Sequence, residues 1–178
     1  MLVYKNMNLL LRHLTLRDEK QFFIALNEDW GDFVFAHYFE SLAGSHYEKY
    51  VEILPMFSKQ EVLPEGHVPC TFLFAFDEFD KMVGRVSIRH KLNENLRLVG
   101  GHIGYGVVPR ERRKGYATKI LDQSLKYIKD NVKDLDNVLV TCDDGNIGSQ
   151  KTIENNYGVL ENIIDVNGVK KRRYWIEV

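Results

Sequence analysis

The sequence predicts a mixed α/β fold, a mostly antiparallel central sheet with helices on both faces. Three observations carry this expectation. Three strand-like runs, Val68 to Phe76, Met82 to Leu92 and Leu98 to Val108, follow one another through short polar turns, which makes an antiparallel meander. A strand, helix, strand order follows from Leu98 to Thr141 and implies a parallel crossover. Two final runs flank Asn167-Gly168, a strong hairpin dipeptide.

Each element has its own signal. Leu9 to Leu14 reads as a first strand. Thr15-Leu16-Arg17-Asp18 resembles a capping box with Asp in place of Glu. Phe22, Phe23, Leu26 and Trp30 then recur at helical spacing, and Gly31 is the expected stop. Phe33 to Leu42 is aromatic without a clean period and reads as loop or short helix. Ser45 to Phe57 reads as a helix with Pro55 near its end, where it would kink. Pro64, Gly66 and Pro69 mark a loop before the meander, whose turns fall at Asp77 to Asp80 and Asn93-Glu94-Asn95. Ala117, Ile120, Leu121, Leu125 and Ile128 give a helical stripe. Asn137 to Thr141 reads as a short buried strand paired in parallel with the strand before Pro109, and Asn146 to Asn156 as a helix. Val159 to Val166 and Arg172 to Val178 make the last hairpin.

The 178 residues suit one domain, 1–178, with a sizeable core, and no repeat or linker divides them. A net charge of −1 argues against a general nucleic-acid binder. No apolar run approaches the ~20 residues of a membrane span, and Met1 to Lys5 shows no secretory signal, so a cytoplasmic protein without a membrane partner is expected. Cys70 and Cys142 are too few for a disulfide framework, and Cys142 beside Asp143 and Asp144 makes a poor nucleophile. The six histidines show no ligand spacing, so no metal is expected. Arg85, Arg89, His90, Lys91 and Arg97 read as a solvated face.

The most informative segment is Val107-Val108-Pro109-Arg110-Glu111-Arg112-Arg113-Lys114-Gly115-Tyr116-Ala117-Thr118. It is a strand end, a tight basic loop and a helix start. A helix N-terminus presents unpaired N–H groups and partial positive charge, and Arg112, Arg113 and Lys114 add full charge. Gly115 and Ala117 remove bulk, so a ligand can touch the backbone. The combination suits a pyrophosphate.

These residues resemble the GNAT superfamily of acyl-CoA-dependent N-acyltransferases, whose pyrophosphate motif runs V-x-P-x-x-R/Q-x-x-G-x-G/A. Gly101-His102-Ile103-Gly104-Tyr105 is similar to the branch that acetylates protein N-termini, and Asn146 and Ser149 fit the family's N-x-x-S/A. The resemblance is good from Val68 to Val178 and is limited to element order over Met1 to Gly66. It implies an acyl-CoA N-acyltransferase fold in which the two parallel strands splay apart around the pantetheine arm. It also implies acetyl-CoA as co-substrate, held by Val107, Val108, Arg112, Arg113, Lys114, Gly115, Tyr116, Ala117, Thr118, Asn146 and Ser149.

Acyl transfer needs a neutral amine, a stabilised carbonyl oxygen and a proton for the leaving thiolate. Backbone N–H groups from Tyr105 to Val108 are candidates for the second task. His102 occupies the place of the family's basic carboxylate. The family's acidic tyrosine, seven positions after the helix Asn, is Ile153 here, while Tyr157 lies one turn further on. Tyr105 is the substitute considered. The acceptor, a small-molecule or peptide amine, would enter beside Glu28, Asp29, Asp32, Phe33, Phe35, Tyr38 and Tyr47. A homodimer fits the resemblance too. The expected function is therefore acetyl transfer to a primary amine, and the alternative is a non-catalytic acyl-CoA sensor on the same fold.

Overall fold

The computed structural model describes residues 8–37, 39, 46–60, 63 and 65–178. The readings of Met1 to Lys5, Tyr38, Ser45 and Pro64 fall outside these residues. Strand β1 (Leu9–Arg12) precedes a 3₁₀ turn (Leu16–Asp18) and helix α1 (Glu19–Leu26). Asp18 Oδ2 accepts from the Thr15 N–H at 2.8 Å and the Thr15 hydroxyl at 2.9 Å, so the expected capping role falls to these two residues. Helix α1 ends at Leu26, before the expected Gly31. Trp30 keeps the helical spacing yet folds back, its indole N–H donating to the Ala25 carbonyl at 2.7 Å. Helix α2 (Tyr47–Ile53) passes at Pro55 into a 3₁₀ turn (Leu54–Ser58), since proline cannot donate to the α ladder.

The meander is β2 (Cys70–Asp77), β3 (Met82–Arg89) and β4 (Ile103–Val107). Together with β1 it forms one antiparallel sheet in the order β1-β2-β3-β4. The predicted strand from Leu98 is shorter than expected. A short helix, α3 (Glu94–Leu98), replaces its start, because the Asn93 side chain caps the Leu96 N–H at 2.9 Å. Gly100 and Gly101 then turn the chain at φ 100° and 58°.

Helix α4 (Tyr116–Asn131), strand β5 (Asn137–Asp143) and helix α5 (Ile147–Glu154) follow. Strands β6 (Val159–Val166) and β7 (Val169–Glu177) close the chain, and the second sheet has the order β5-β7-β6. Asn167 and Gly168 both take positive φ, 53° and 81°, as a type I′ hairpin requires.

Both faces of the first sheet are covered, so β2 and β3 are buried along nearly their whole length. Leu73 and Ala75 of β2 pack with Ile120, Leu121 and Ile128 of α4. Phe72, Phe74 and Phe76 face the opposite way, into an aromatic cluster with Phe22, Trp30, Phe35 and Tyr50. The two-residue period of a strand makes this division.

Strands β4 and β5 belong to different sheets, and two hydrogen bonds near their N-terminal ends join them. The His102 N–H donates to the Leu139 carbonyl at 2.7 Å. The Leu139 N–H donates to His102 Nδ1 at 2.8 Å. A Cβ on Gly101 would overlap the Leu139 carbonyl, so only glycine admits so close a junction.

Candidate active site

Strand β4 leaves one backbone edge open. The Arg89 N–H donates to the His102 carbonyl at 2.7 Å, and the Val108 N–H to the Val83 carbonyl at 2.9 Å. Antiparallel pairing alternates, so Gly104 and Gly106 spend their polar groups on β3 while Tyr105 and Val107 turn theirs outward. Beyond His102 no β5 ladder takes these groups, which is the condition an extended amide ligand needs.

The basic loop continues from β4. Pro109 to Glu111 form a 3₁₀ turn, Arg113 takes φ 66° and Gly115 φ 89°. The left-handed Gly115 is the N-cap of α4 and supplies no capping side chain, and the first turn holds no acidic residue. The N–H groups of Tyr116, Ala117 and Thr118 therefore open toward the loop at the positive end of a 16-residue helix. Arg112 and Arg113 are exposed beside them, and Arg112 Nε donates to the Val107 carbonyl at 3.4 Å. Val107 and Val108 are buried and anchor the loop.

Glu111 is the residue that sequence reasoning passed over. It is buried, and its carboxylate pairs with Lys81 and, at 2.8 Å, with Lys114. Burial pushes its pKa up, but the Lys114 and Lys81 ammoniums outweigh this and hold it below the usual carboxylate range. Lys114 is thus shared with Glu111 rather than wholly directed at the loop. One acid, Glu111, within a run of four cations and a glycine was the available signal.

At the start of α5, Asn146 Oδ1 accepts the Ser149 N–H at 3.0 Å, which leaves its NH₂ group to donate elsewhere. Ser149 Oγ lies 2.9 Å from the Tyr105 hydroxyl. Tyr105 therefore bridges β4 and α5, and burial pushes its pKa up to about 12. Its phenol is protonated at neutral pH. Ile153 is fully buried and apolar, whereas Tyr157 is 89% exposed.

His102 is buried at the junction of the sheets. Its Nδ1 lone pair accepts the Leu139 N–H, so the ring is neutral with its proton on Nε2. Burial, then Arg97 and Arg89, lower its pKa to about 4. Taking up a proton on Nδ1 would break the Leu139 bond. Cys142 is buried and its pKa is pushed up to about 11 by that burial.

On the other face of the first sheet lies a cavity of about 930 Å³. Glu28, Asp29, Phe33 and Phe35 line it, as does Trp30, and Ser87 and Arg89 of β3 form its floor. Asp32 and Tyr47 are not among its lining residues. Glu28 is paired with Arg110, and its second oxygen accepts the Arg110 N–H at 3.3 Å. Arg85 departs from expectation: it is 2% exposed rather than solvated. Its period-two relation to Ser87 and Arg89 on a buried strand was the overlooked signal.

The sequence model of the acetyltransferase (GNAT) domain family matches residues 8–156. No curated protein matches in sequence. Among solved structures, a candidate ribosomal-protein-serine acetyltransferase from Vibrio cholerae superposes with TM-score 0.61 at 15% identity, over 96% of this chain and 94% of that one. The spermidine/spermine N-acetyltransferase SpeG from Vibrio cholerae gives 0.59 at 16%, over 96% and 95%. The microcin C7 self-immunity acetyltransferase MccE, in complex with acetyl-CoA and AMP, gives 0.62 at 17%, over 96% and 92%. At such identities the likeness is one of fold. The family match, spanning the open strand, the loop and α5, is one of sequence, and by it the chain belongs to the GNAT acetyltransferases.

Proposed function

We propose that this chain is a single-domain cytoplasmic enzyme that transfers an acetyl group from acetyl-CoA to a primary amine by direct attack. The observation that carries the reading is the continuity of an open β4 edge with an uncapped α4 N-terminus. The N–H groups of Tyr116, Ala117 and Thr118, with Arg112 and Arg113, would hold the pyrophosphate. The outward groups of Tyr105 and Val107 and the amide of Asn146 would hold the pantetheine arm.

The acceptor amine reaches the thioester as the free base, having lost its proton to solvent. Its nitrogen attacks the carbonyl carbon, the C–N bond forms and the C–S bond breaks. An outward N–H of β4 stabilises the developing oxyanion. Tyr105, its hydroxyl oriented by Ser149, gives its proton to the departing thiolate, while the acylated nitrogen releases its extra proton to solvent, which reprotonates the phenolate. His102 holds the two sheets at the base of the cleft as a positioning residue, because its lone pair is already engaged.

The neighbours described as acting on spermidine and on a ribosomal protein support an amine acceptor. A neighbour described as dodecameric supports self-association, and the exposed Val159, Leu160 and Ile163 of β6 offer an apolar edge. A second reading, a non-catalytic acyl-CoA sensor, draws on the apolar Ile153 where a hydroxyl would stand. Thiol release from acetyl-CoA over a panel of amines separates the two. Amine-dependent release is expected, with Tyr105→Phe lowering kcat by about 10²-fold or more if the phenol is the acid. Coenzyme binding without release by any amine would favour the sensor. Unchanged turnover in Tyr105→Phe would remove the tyrosine from the chemistry.

A further inference from the structure

Strand β4 presents no side chain to the cavity face at Gly104 and Gly106. These glycines pair with Ser87 and Arg85 of β3, so all four positions share that face. The two glycines have different surroundings. A Cβ on Gly104 would stand 3.0 Å from Ser87 Oγ and 3.6 Å from the Arg89 guanidinium, both of the cavity floor. A Cβ on Gly106 would overlap the ring of Phe33. The cavity floor therefore runs up to Gly104, whereas at Gly106 the Phe33 ring lies directly on the backbone.

That ring is held from several sides. It stacks on Trp30 with centroids 5.4 Å apart, and Trp30 stacks in turn on Phe35 at 4.6 Å. The buried Arg85 guanidinium lies 4.6 Å from the Phe33 centroid. Its Nε donates to the Phe35 carbonyl at 2.9 Å and its Nη2 to the Val34 carbonyl, so it also grips the backbone that follows the ring. The Phe33 N–H donates to the Trp30 carbonyl at 3.4 Å. A swing of the ring alone forfeits the stacking and the cation–π contact. A shift of the whole segment strips a buried cation of its acceptors, which is costlier still. Phe33 is thus a fixed wall and not a mobile flap.

Side chains alternate along β4, so Tyr105 projects to the other face, where it packs with the α4 core, while Phe33 belongs to the aromatic cluster. On the acetyltransferase reading the sulfur leaves toward Tyr105, and an outward N–H beside Gly106 receives the carbonyl oxygen. The rest of the acyl group then projects away from Tyr105, to the face that Phe33 covers. We infer that Phe33 determines donor specificity: its ring is the end wall of the acyl pocket and restricts the donor to a short acyl chain. The amine comes to the thioester from the cavity over Gly104, beside this wall. The inference rests on the acetyltransferase reading and adds to it a choice among acyl donors. A single methylene that does not fit an apolar pocket changes selectivity by about tenfold or more.

Calorimetric titration with coenzyme A, acetyl-CoA and butyryl-CoA tests the wall, because butyryl adds two methylenes to acetyl. Wild type should bind butyryl-CoA about tenfold or more weakly than acetyl-CoA, and kcat/KM with any amine it accepts should show at least that gap. Phe33→Ala should bring the two thioesters within about threefold of each other, the acyl chain now reaching into the cavity. Phe33→Leu should fall between, and it decides the matter if the alanine variant does not fold. A merely structural ring would weaken coenzyme A and both thioesters alike and leave their ratios unchanged. Equal binding of the two thioesters by wild type, or an undiminished gap in a folded Phe33 variant, would overturn the wall and leave the coenzyme site standing. A gap in binding that closes in the variants, with no amine turned over, would uphold the wall and refute the transfer reading. No binding of coenzyme A would refute both.

Discussion

The imidazole of His102 bonds β5 through Leu139 and carries a titration of its own. The folded pKa lies near 4, below the ~6.5 of an exposed histidine. As pH falls, the unfolded chain takes up a proton first. Stability is therefore complete above about pH 6.5 and is lost as the pH drops toward the folded value. His37, lowered to about 4 chiefly by burial, acts in the same window. His102→Asn keeps an acceptor, Oδ1 in the place of Nδ1, for the Leu139 N–H and cannot titrate. We expect the loss in stability between pH 7 and pH 5, followed by urea unfolding, to shrink in this variant by on the order of 1 kcal/mol. An equal loss in both proteins would mean that the ring is not held neutral. Sequence spacing placed His102 on the cleft strand but was silent about its partner, because the Leu139 bond joins residues 37 positions apart. Arg85 was misread for a related reason. A charge on a strand reads as solvated until the helices packed on both faces of that strand are known.

Local chemistry was more legible in elements than in single side chains. The Asn167-Gly168 hairpin and the α4 stripe follow from short-range rules and stand where expected. The misses sit at element ends. Trp30 extends the period of α1 beyond its true end, and Asn93 caps a short helix where a turn was read. The end of α5 yields a further expectation. The Gly158 N–H donates to the Ile153 carbonyl at 3.0 Å and the Tyr157 N–H to the Glu154 carbonyl at 3.1 Å, a Schellman motif. Tyr157 holds its left-handed position at φ 64°, where glycine is preferred. Its side chain is 89% exposed and loses little packing on removal. Tyr157→Gly should therefore stabilise the protein by roughly 0.5–1 kcal/mol, a rise of a few degrees in Tm. Turnover should stay within about threefold of wild type. A lower Tm would show that the exposed ring contributes contacts, and a hundredfold loss of kcat would reinstate Tyr157 as the acid.

At the scale of the molecule, two sheets joined at His102 and Leu139 create a cleft that ends at the α4 N-terminus. The loop motif pointed to that terminus. The separation into two sheets, β1-β2-β3-β4 and β5-β7-β6, comes from tertiary packing that no local pattern encodes. The most direct test is calorimetric titration of the protein with coenzyme A, for wild type and Arg112→Ala, at low and high salt. Binding at one site per chain is expected. Arg112→Ala should weaken it about tenfold at low salt, with a smaller difference at high salt because exposed charge is screened. No binding by the folded wild-type protein, or identical affinity in both proteins at low salt, would contradict the assignment of this loop and helix to the coenzyme.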